Sequence, residues 1–281
     1  MTLRPRTLAA ATAAVAAFAL TACGGGSSAA PEGKDANPYD LQQPGVLRTG
    51  TLTDAPPNVY LKDGKYTGFD NDLLVAVAAK MGLKVEFVGT EFSSLLAQVK
   101  TRKFDVGSSS ISITDARKKT VDFTNKYDFG FLGLDVPKGS AVKGFDDLKG
   151  KRVAVVQGTV QDDYATTQGL NPVRVPDYNA ALNQLKSGTA DAWITPAEIG
   201  EKTAADSGDK VVAVDKQLQP GGMAFAVAQQ NDALREAINK ALDEVVADGT
   251  WARLQEQYYP GREIPADFKP GSGSVAIGAA R

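Results

Sequence analysis

The segment from Phe104 to Arg117 gathers the residue types that bind a carboxylate. It begins Phe104-Asp105-Val106-Gly107, continues with Ser108, Ser109, Ser110 and Ser112 around Ile111, and closes on Thr114-Asp115-Ala116-Arg117. An apolar strand here ends in a cluster of hydroxyls, and Thr114 or Asp115 then starts a short helix that holds Arg117. A planar guanidinium grips both oxygens of a carboxylate, and neighbouring hydroxyls or N–H groups satisfy the lone pairs that remain. Small ligands of open α/β sheets sit at such strand C-termini. A serine-rich turn beside a surface arginine fits the same residues, and spacing alone leaves both readings open.

A second anion site is legible at Gln157-Gly158-Thr159, which follows a β-type run and precedes a helical pattern over 161–168. Free N–H groups at a helix start attract an anion, although Thr159 by itself also fits a plain strand-to-helix turn.

These segments need a scaffold, and the chain alternates short β-type runs with helical patterns. Strands are expected at 46–52, 84–88, 106–109, 131–136, 152–156, 173–175, 190–194, 211–214 and 223–227. A helix over 70–81 puts Leu73, Leu74, Val77, Ala78 and Met81 on one face and stops at Gly82. Residues 91–101 repeat the pattern with Phe92, Leu95, Leu96 and Val99, and 232–248 carry a stripe from Leu234 to Val246 behind the capping residue Asn231. The alternation predicts an α/β architecture with mainly parallel sheets, and no repeat of 20 to 50 residues suggests a solenoid.

The ends read differently. Residues 1–22 carry Arg4 and Arg6, an apolar run from Leu8 to Leu20 and then Thr21-Ala22-Cys23, an export signal too short to span a bilayer. Residues 23–44 read as a flexible tether, and 260–281 as a fraying tail whose Ile264 and Phe268 could dock. Without residues 1–22 the 31 Lys+Arg fall to 29 against 33 Asp+Glu, formally −4, which gives no footprint for nucleic acid. One cysteine allows no internal disulfide, so a sizeable core must hold the chain.

In this order, several short motifs resemble the extracellular solute-binding proteins of polar amino-acid importers, family 3. They are Ala55-Pro56-Pro57, Gly68-Phe69-Asp70-Asn71-Asp72-Leu73, Lys103-Phe104-Asp105-Val106, Ser112 to Lys119, and Val121-Asp122-Phe123-Thr124, followed by Leu148 to Val155, Gln157-Gly158-Thr159 and Asp248-Gly249-Thr250-Trp251. Leu20-Thr21-Ala22-Cys23 resembles a lipobox, which implies lipidation of Cys23 and anchoring at the outer face of the cytoplasmic membrane. The resemblance implies a two-lobed periplasmic-binding-protein-like clamp of type II. Lobe one would be 45–134 plus 223–259 and lobe two 137–222, each a mostly parallel sheet flanked by helices. The implied molecule is a monomer that captures an amino acid or related small carboxylate and delivers it to the permease subunits of an ABC importer.

Position by position, the resemblance makes Arg117 the grip on the ligand carboxylate. Ser112 and the backbone around Ser109 and Ser110 complete the first-lobe cradle, and Thr159, Val160 and Gln161 supply contacts from lobe two. Phe92 matches a pocket-wall aromatic, but its apolar stripe suits core packing equally well. The family's aromatics on either side of its Pro-Pro are replaced here by Ala55 and Asn58, so a stacking wall is in doubt. The family's acid for the ligand ammonium falls on Pro196. Either another carboxylate substitutes, Asp54 or Glu198 being nearest in sequence with Thr195 as a neutral helper, or the ligand lacks a free α-ammonium. A buried ammonium without a counter-charge is costly, which favours a substitute acid over none.

An enzyme is the competing class, since the resemblance extends to dehydratases on the same fold. The chain has no histidine, no Gly-x-Ser-x-Gly elbow and no metal-ligand cluster, so neither catalysis nor a cofactor is expected. Ser140 and Lys143 form Ser-x-x-Lys without its companion motifs. A carboxylate-only dehydratase and a sensor clamp stay as alternatives. Trp251 is expected to pack, while Trp193 suits the pocket wall and the lobe-two core equally.

Overall fold

A computed structural model describes residues 37–271. The export signal, Cys23 with the tether up to residue 36, and the tail from residue 272 lie outside the described residues.

The chain opens with β1 (Val46–Thr51), followed by β2 (Asp54–Ala55), β3 (Val59–Lys62) and β4 (Lys65–Thr67). These last three form a separate antiparallel sheet turned at Asp63-Gly64, both at positive φ. Their strands are short and largely polar, so no periodicity announces them. Helix α1 (Phe69–Lys80) buries Leu73, Leu74, Val77 and Ala78, with acids in its first turn and Lys80 in its last, as the helix dipole favours. It starts where Gly68, at φ +110°, passes so close to the chain that a Cβ would stand 2.3 Å from the Asn58 carbonyl oxygen.

Next come β5 (Lys84–Gly89), α2 (Phe92–Lys100), β6 (Val106–Ser112), α3 (Asp115–Lys118), β7 (Asp122–Phe123) and β8 (Asp128–Pro137). After a 3-10 turn at Phe145–Leu148 follow β9 (Arg152–Val156), α4 (Val160–Thr167), β10 (Asn171–Val175), α5 (Tyr178–Lys186), β11 (Ala192–Pro196) and α6 (Ala197–Asp206). The chain closes with β12 (Val211–Val227), α7 (Asp232–Ala247) and α8 (Thr250–Tyr258).

The main sheet runs β10-β9-β11-β8-β12-β6-β1-β5. Both ends are parallel: β1 pairs with β5 and β6, and β9 with β10 and β11. In the middle β8, β11, β12 and β6 pair antiparallel. The molecule is thus an α/β clamp of two lobes, each with three parallel strands under helices, joined by the long strands β8 and β12. Helices α1, α2, α7 and α8 cover one lobe and α4, α5 and α6 the other.

Two expected strands, 211–214 and 223–227, are one 17-residue strand. Its middle carries Asp215, Lys216, Gln217 and Gln219, which break the apolar alternation yet pair with β8 across the crossing. Gly221 and Gly222, at φ +101° and +71°, take up the register shift. The expected fraying from residue 260 does not extend to Phe268, which is buried against Phe129 at 4.9 Å and Trp251 at 6.2 Å; Ile264 is exposed.

Each lobe has its own apolar core, one around Leu73, Phe225 and Leu242, the other around Leu134, Val153 and Ile194. A third cluster crosses between them, with Phe92 and Leu95 from one side and Val156, Tyr178 and Trp193 from the other.

Among the buried carboxylates with raised pKa values are Asp135, Asp70 and Glu198. Burial pushes Asp135 of β8 up to about 8, with Glu201 adding repulsion, and neither of its oxygens has a partner. Asp215 and Lys216 line the groove beside it. Burial also lifts Asp70 and Glu198 to about 7. In the folded state Asp70 and Glu198 keep their protons up to about pH 7 and Asp135 up to about pH 8, whereas the unfolded chain releases them above pH ~4, so stability falls as pH rises from 5, by up to ~1.4 kcal/mol per pH unit and group, and above pH 7 through Asp135 alone. A melting temperature higher at pH 5 than at pH 8 is expected, and Asp135→Asn should reduce the slope, stabilising the protein more at pH 8 than at pH 5. A flat wild-type profile between those pH values would refute the assignment.

Candidate functional site

The C-terminal end of β6 meets the start of α4 across the cleft between the lobes. Ser110 stands there at φ +46°, a left-handed conformation unusual outside glycine. Asp70 of α1 holds it, accepting from the Ser110 backbone N–H and, at 2.7 Å, from its hydroxyl. The Ser110 hydroxyl in turn accepts from Asn58 Nδ2 at 2.8 Å. This relay fixes the Asn58 amide and leaves its Oδ1 without a partner.

Thr114 caps α3 by accepting from the Arg117 N–H at 3.2 Å, which aims the arginine side chain back under β6. Its Nη1 donates to the Ser112 carbonyl at 2.9 Å, and its Nη2 reaches across the cleft to the Gly158 carbonyl at 3.1 Å. The guanidinium lies over the Phe92 ring, 5.0 Å from its centroid. Arg117 is only 8 % exposed, yet no carboxylate lies within ion-pair distance of it among the described residues. Burial lowers its pKa from the ordinary arginine value, with Asp163 in the first turn of α4 pulling the other way.

From the second lobe, Gly158 at φ +77° turns the chain into α4, and the Thr159 side chain accepts from the Asp162 N–H at 3.3 Å. The Thr159 hydroxyl donates to the Val156 carbonyl at 2.7 Å. Gln161 approaches Gln219 of β12 at 3.5 Å, and Gln219 Nε2 donates to the Ser112 hydroxyl.

These side chains wall one cavity. Of the residues singled out in the sequence, Asn58, Phe92, Ser109, Ser110, Ser112, Arg117, Thr159, Val160 and Gln161 line it. Asp54 and Thr195 do not. Asp54 instead accepts the Asn179 N–H at 2.8 Å, at the start of α5, and borders a separate groove with Trp193. Thr195 is fully buried in β11 opposite Gly133, its hydroxyl without a partner. Glu198, the other substitute acid, pairs with Arg262 at 3.1 Å, away from this cavity. Phe92 does both things open to it, joining the shared core and lining the cavity.

Tyr178, Ile199, Gln219 and Met223 also line the cavity and were not foreseen. Gln219 had the least signal, because a polar residue in a broken alternation looks like loop until the crossing strand is assembled. Trp193 is core, 6.4 Å from the Tyr178 ring. Ser140 and Lys143 form no catalytic pair: Lys143 Nζ donates to the Ser140 carbonyl at 2.8 Å on the surface.

The sequence model of the bacterial extracellular solute-binding proteins, family 3, matches residues 47–261. A probable amino-acid-binding protein, YxeM of Bacillus subtilis, is 33 % identical over 255 residues, covering 85 % of this chain and 90 % of its own. The structure is similar to that of an ancestral arginine-binding protein bound to arginine, with a TM-score of 0.73 and 33 % identity over 76 % of this chain and 98 % of that one. It is also similar to the ancestral amino acid-binding protein AncCDT-1, a precursor of cyclohexadienyl dehydratase, with a TM-score of 0.71 and 33 % identity over 76 % and 96 %. Among the described residues no helix is long and apolar enough to cross a membrane.

Proposed function

The chain belongs to the bacterial extracellular solute-binding proteins, family 3, and from that membership we propose that it captures an amino acid or related small carboxylate between its lobes and hands it to an ABC permease. The observation that carries this reading is Arg117: a guanidinium nearly sealed from water, without an ion pair, at the seam of two lobes. A buried charge of that kind is uncompensated until an anion arrives. The ligand carboxylate takes the fork of Arg117, with the Ser112 hydroxyl and the N–H groups at the start of α4 around it.

In this reading lobe one is 45–134 plus 223–259 and lobe two 137–222. They open about β8 and β12, and ligand shifts the population toward the closed form that the permease recognises. The polar contacts between the lobes include Arg117–Gly158, Asp54–Asn179 and Gln219–Ser112, and Arg262, held to Asp128 and Phe129 of lobe one, adds its ion pair with Glu198 of lobe two. Lipidation of Cys23 holds the monomer at the outer face of the cytoplasmic membrane. The reading is one of binding: among the described residues that line the cavity, Arg117 is the charged one, and it suits holding a carboxylate.

A thermal-shift screen against amino acids and small carboxylates tests the reading. A ligand at 100 times its Kd stabilises the folded state by ~2.7 kcal/mol, a rise of several degrees. No shift with any carboxylate-bearing solute would remove the proposal.

A further inference from the structure

We propose that the solute is a carboxylate whose remaining body carries no positive charge: a deaminated or N-acylated acid, not a free amino acid. This rests on the capture of a carboxylate by Arg117 and narrows what that carboxylate belongs to.

Charge balance at the cavity wall narrows the class of solute. Among the described residues Arg117 is the only charged one in the wall, and one carboxylate neutralises it. An α-ammonium on the same ligand would add a second buried cation with no anion to meet it, and such a charge costs several kcal/mol. Among the described residues, none of the nearby carboxylates lines the wall. Asp54 accepts from the Asn179 N–H outside the cavity. Glu198 is paired with Arg262. Asp70 stands behind Ser110, committed to that residue's N–H and hydroxyl. Asp163 is felt by Arg117 through its field but does not line the wall. Where β11 meets α6 the wall presents Pro196, which has neither charge nor N–H.

What the wall does offer beyond Arg117 is neutral. Asn58 keeps an unpartnered Oδ1 that suits an amide N–H or a hydroxyl, and Gln161 and Gln219 add amides. Leu52, Val59, Ile199 and Met223 supply apolar surface. An arginine or lysine side chain finds no acid here either, so the basic ligands named for similar proteins do not suit this cavity.

The test is calorimetric titration of the full chain with matched sets: a primary amino acid and its 2-oxo, 2-hydroxy and N-acetyl counterparts, over aliphatic, polar and basic side chains. In at least one set an ammonium-free member should bind at least ~10-fold more tightly than its amino acid, and Arg117→Ala should abolish that binding. Pro196→Asp is the second variant; its φ of −55° at the start of α6 suits an aspartate cap, so the fold should persist. It should move the ratio at least ~10-fold toward the amino acid. Tight binding of amino acids in preference to their counterparts, lost in Arg117→Ala, overturns this inference and keeps the capture reading. An unmoved ratio in Pro196→Asp also counts against the inference. Binding of neither class overturns both.

Discussion

Arg262→Ala is expected to lower the unfolding free energy by about 3–5 kcal/mol, the largest single loss outside the apolar cores. Arg262 lies just past α8, and its guanidinium pairs with Asp128 at 3.0 Å and Glu198 at 3.1 Å. It also donates to the Phe129 carbonyl and lies over the Phe129 and Tyr259 rings at 3.9 and 4.6 Å. The side chains of Arg262, Asp128 and Glu198 are 12 %, 2 % and 9 % exposed, so removing the cation strands two buried carboxylates. Protonation relieves them, hence the loss should shrink between pH 8 and pH 5. The double variant with Glu198→Gln should recover part of it, since one stranded charge goes. Arg262→Lys keeps the charge but not the fork or the ring stacking, and should fall between. Urea unfolding followed by circular dichroism measures each. A loss under ~1 kcal/mol at pH 8 would mean that the network contributes nothing beyond a surface pair.

The second large effect is on binding. Arg117→Ala should weaken any ligand found in the thermal-shift screen by at least ~100-fold, because it removes a charge-assisted, bidentate contact in a desolvated site. Stability without ligand should move the other way from Arg262→Ala: the melting temperature holds or rises, since the lost guanidinium is buried without a counter-ion. Arg117→Lys retains charge without the planar fork and should recover only part of the affinity. Titration calorimetry and a melt of the unliganded variant read the two arms. Undiminished affinity in Arg117→Ala would take the carboxylate away from this residue.

The contrast between these arginines shows where sequence reading works. Arg117 is legible because its sequence signal is local: the hydroxyls of β6, the cap at Thr114 and the turn into α3 lie within a few residues of it, although its contacts with Gly158 and Phe92 do not. Arg262 sits in a Gly- and Pro-rich stretch that reads as tail, and its partners at 128 and 198 come from strands and helices far along the chain. The same holds for Asp54 and Thr195, nominated because they lie near the cavity residues in sequence. Asp54 instead meets the start of α5 and Thr195 lies inside the sheet, placements that chain proximity does not reveal.

Amino-acid order alone determined the α/β alternation, the stripes of α1, α2 and α7, and the pairing of a hydroxyl cluster with an arginine, because each depends on periodicity or on contacts within one turn. Only the tertiary structure decided that β12 is a single crossing strand, that Gln219 and Tyr178 join the cavity, that Trp193 is core, and that among the described residues no carboxylate reaches the wall. Those outcomes depend on how two lobes meet, and side chains brought together by closure share no local pattern that a sequence could display.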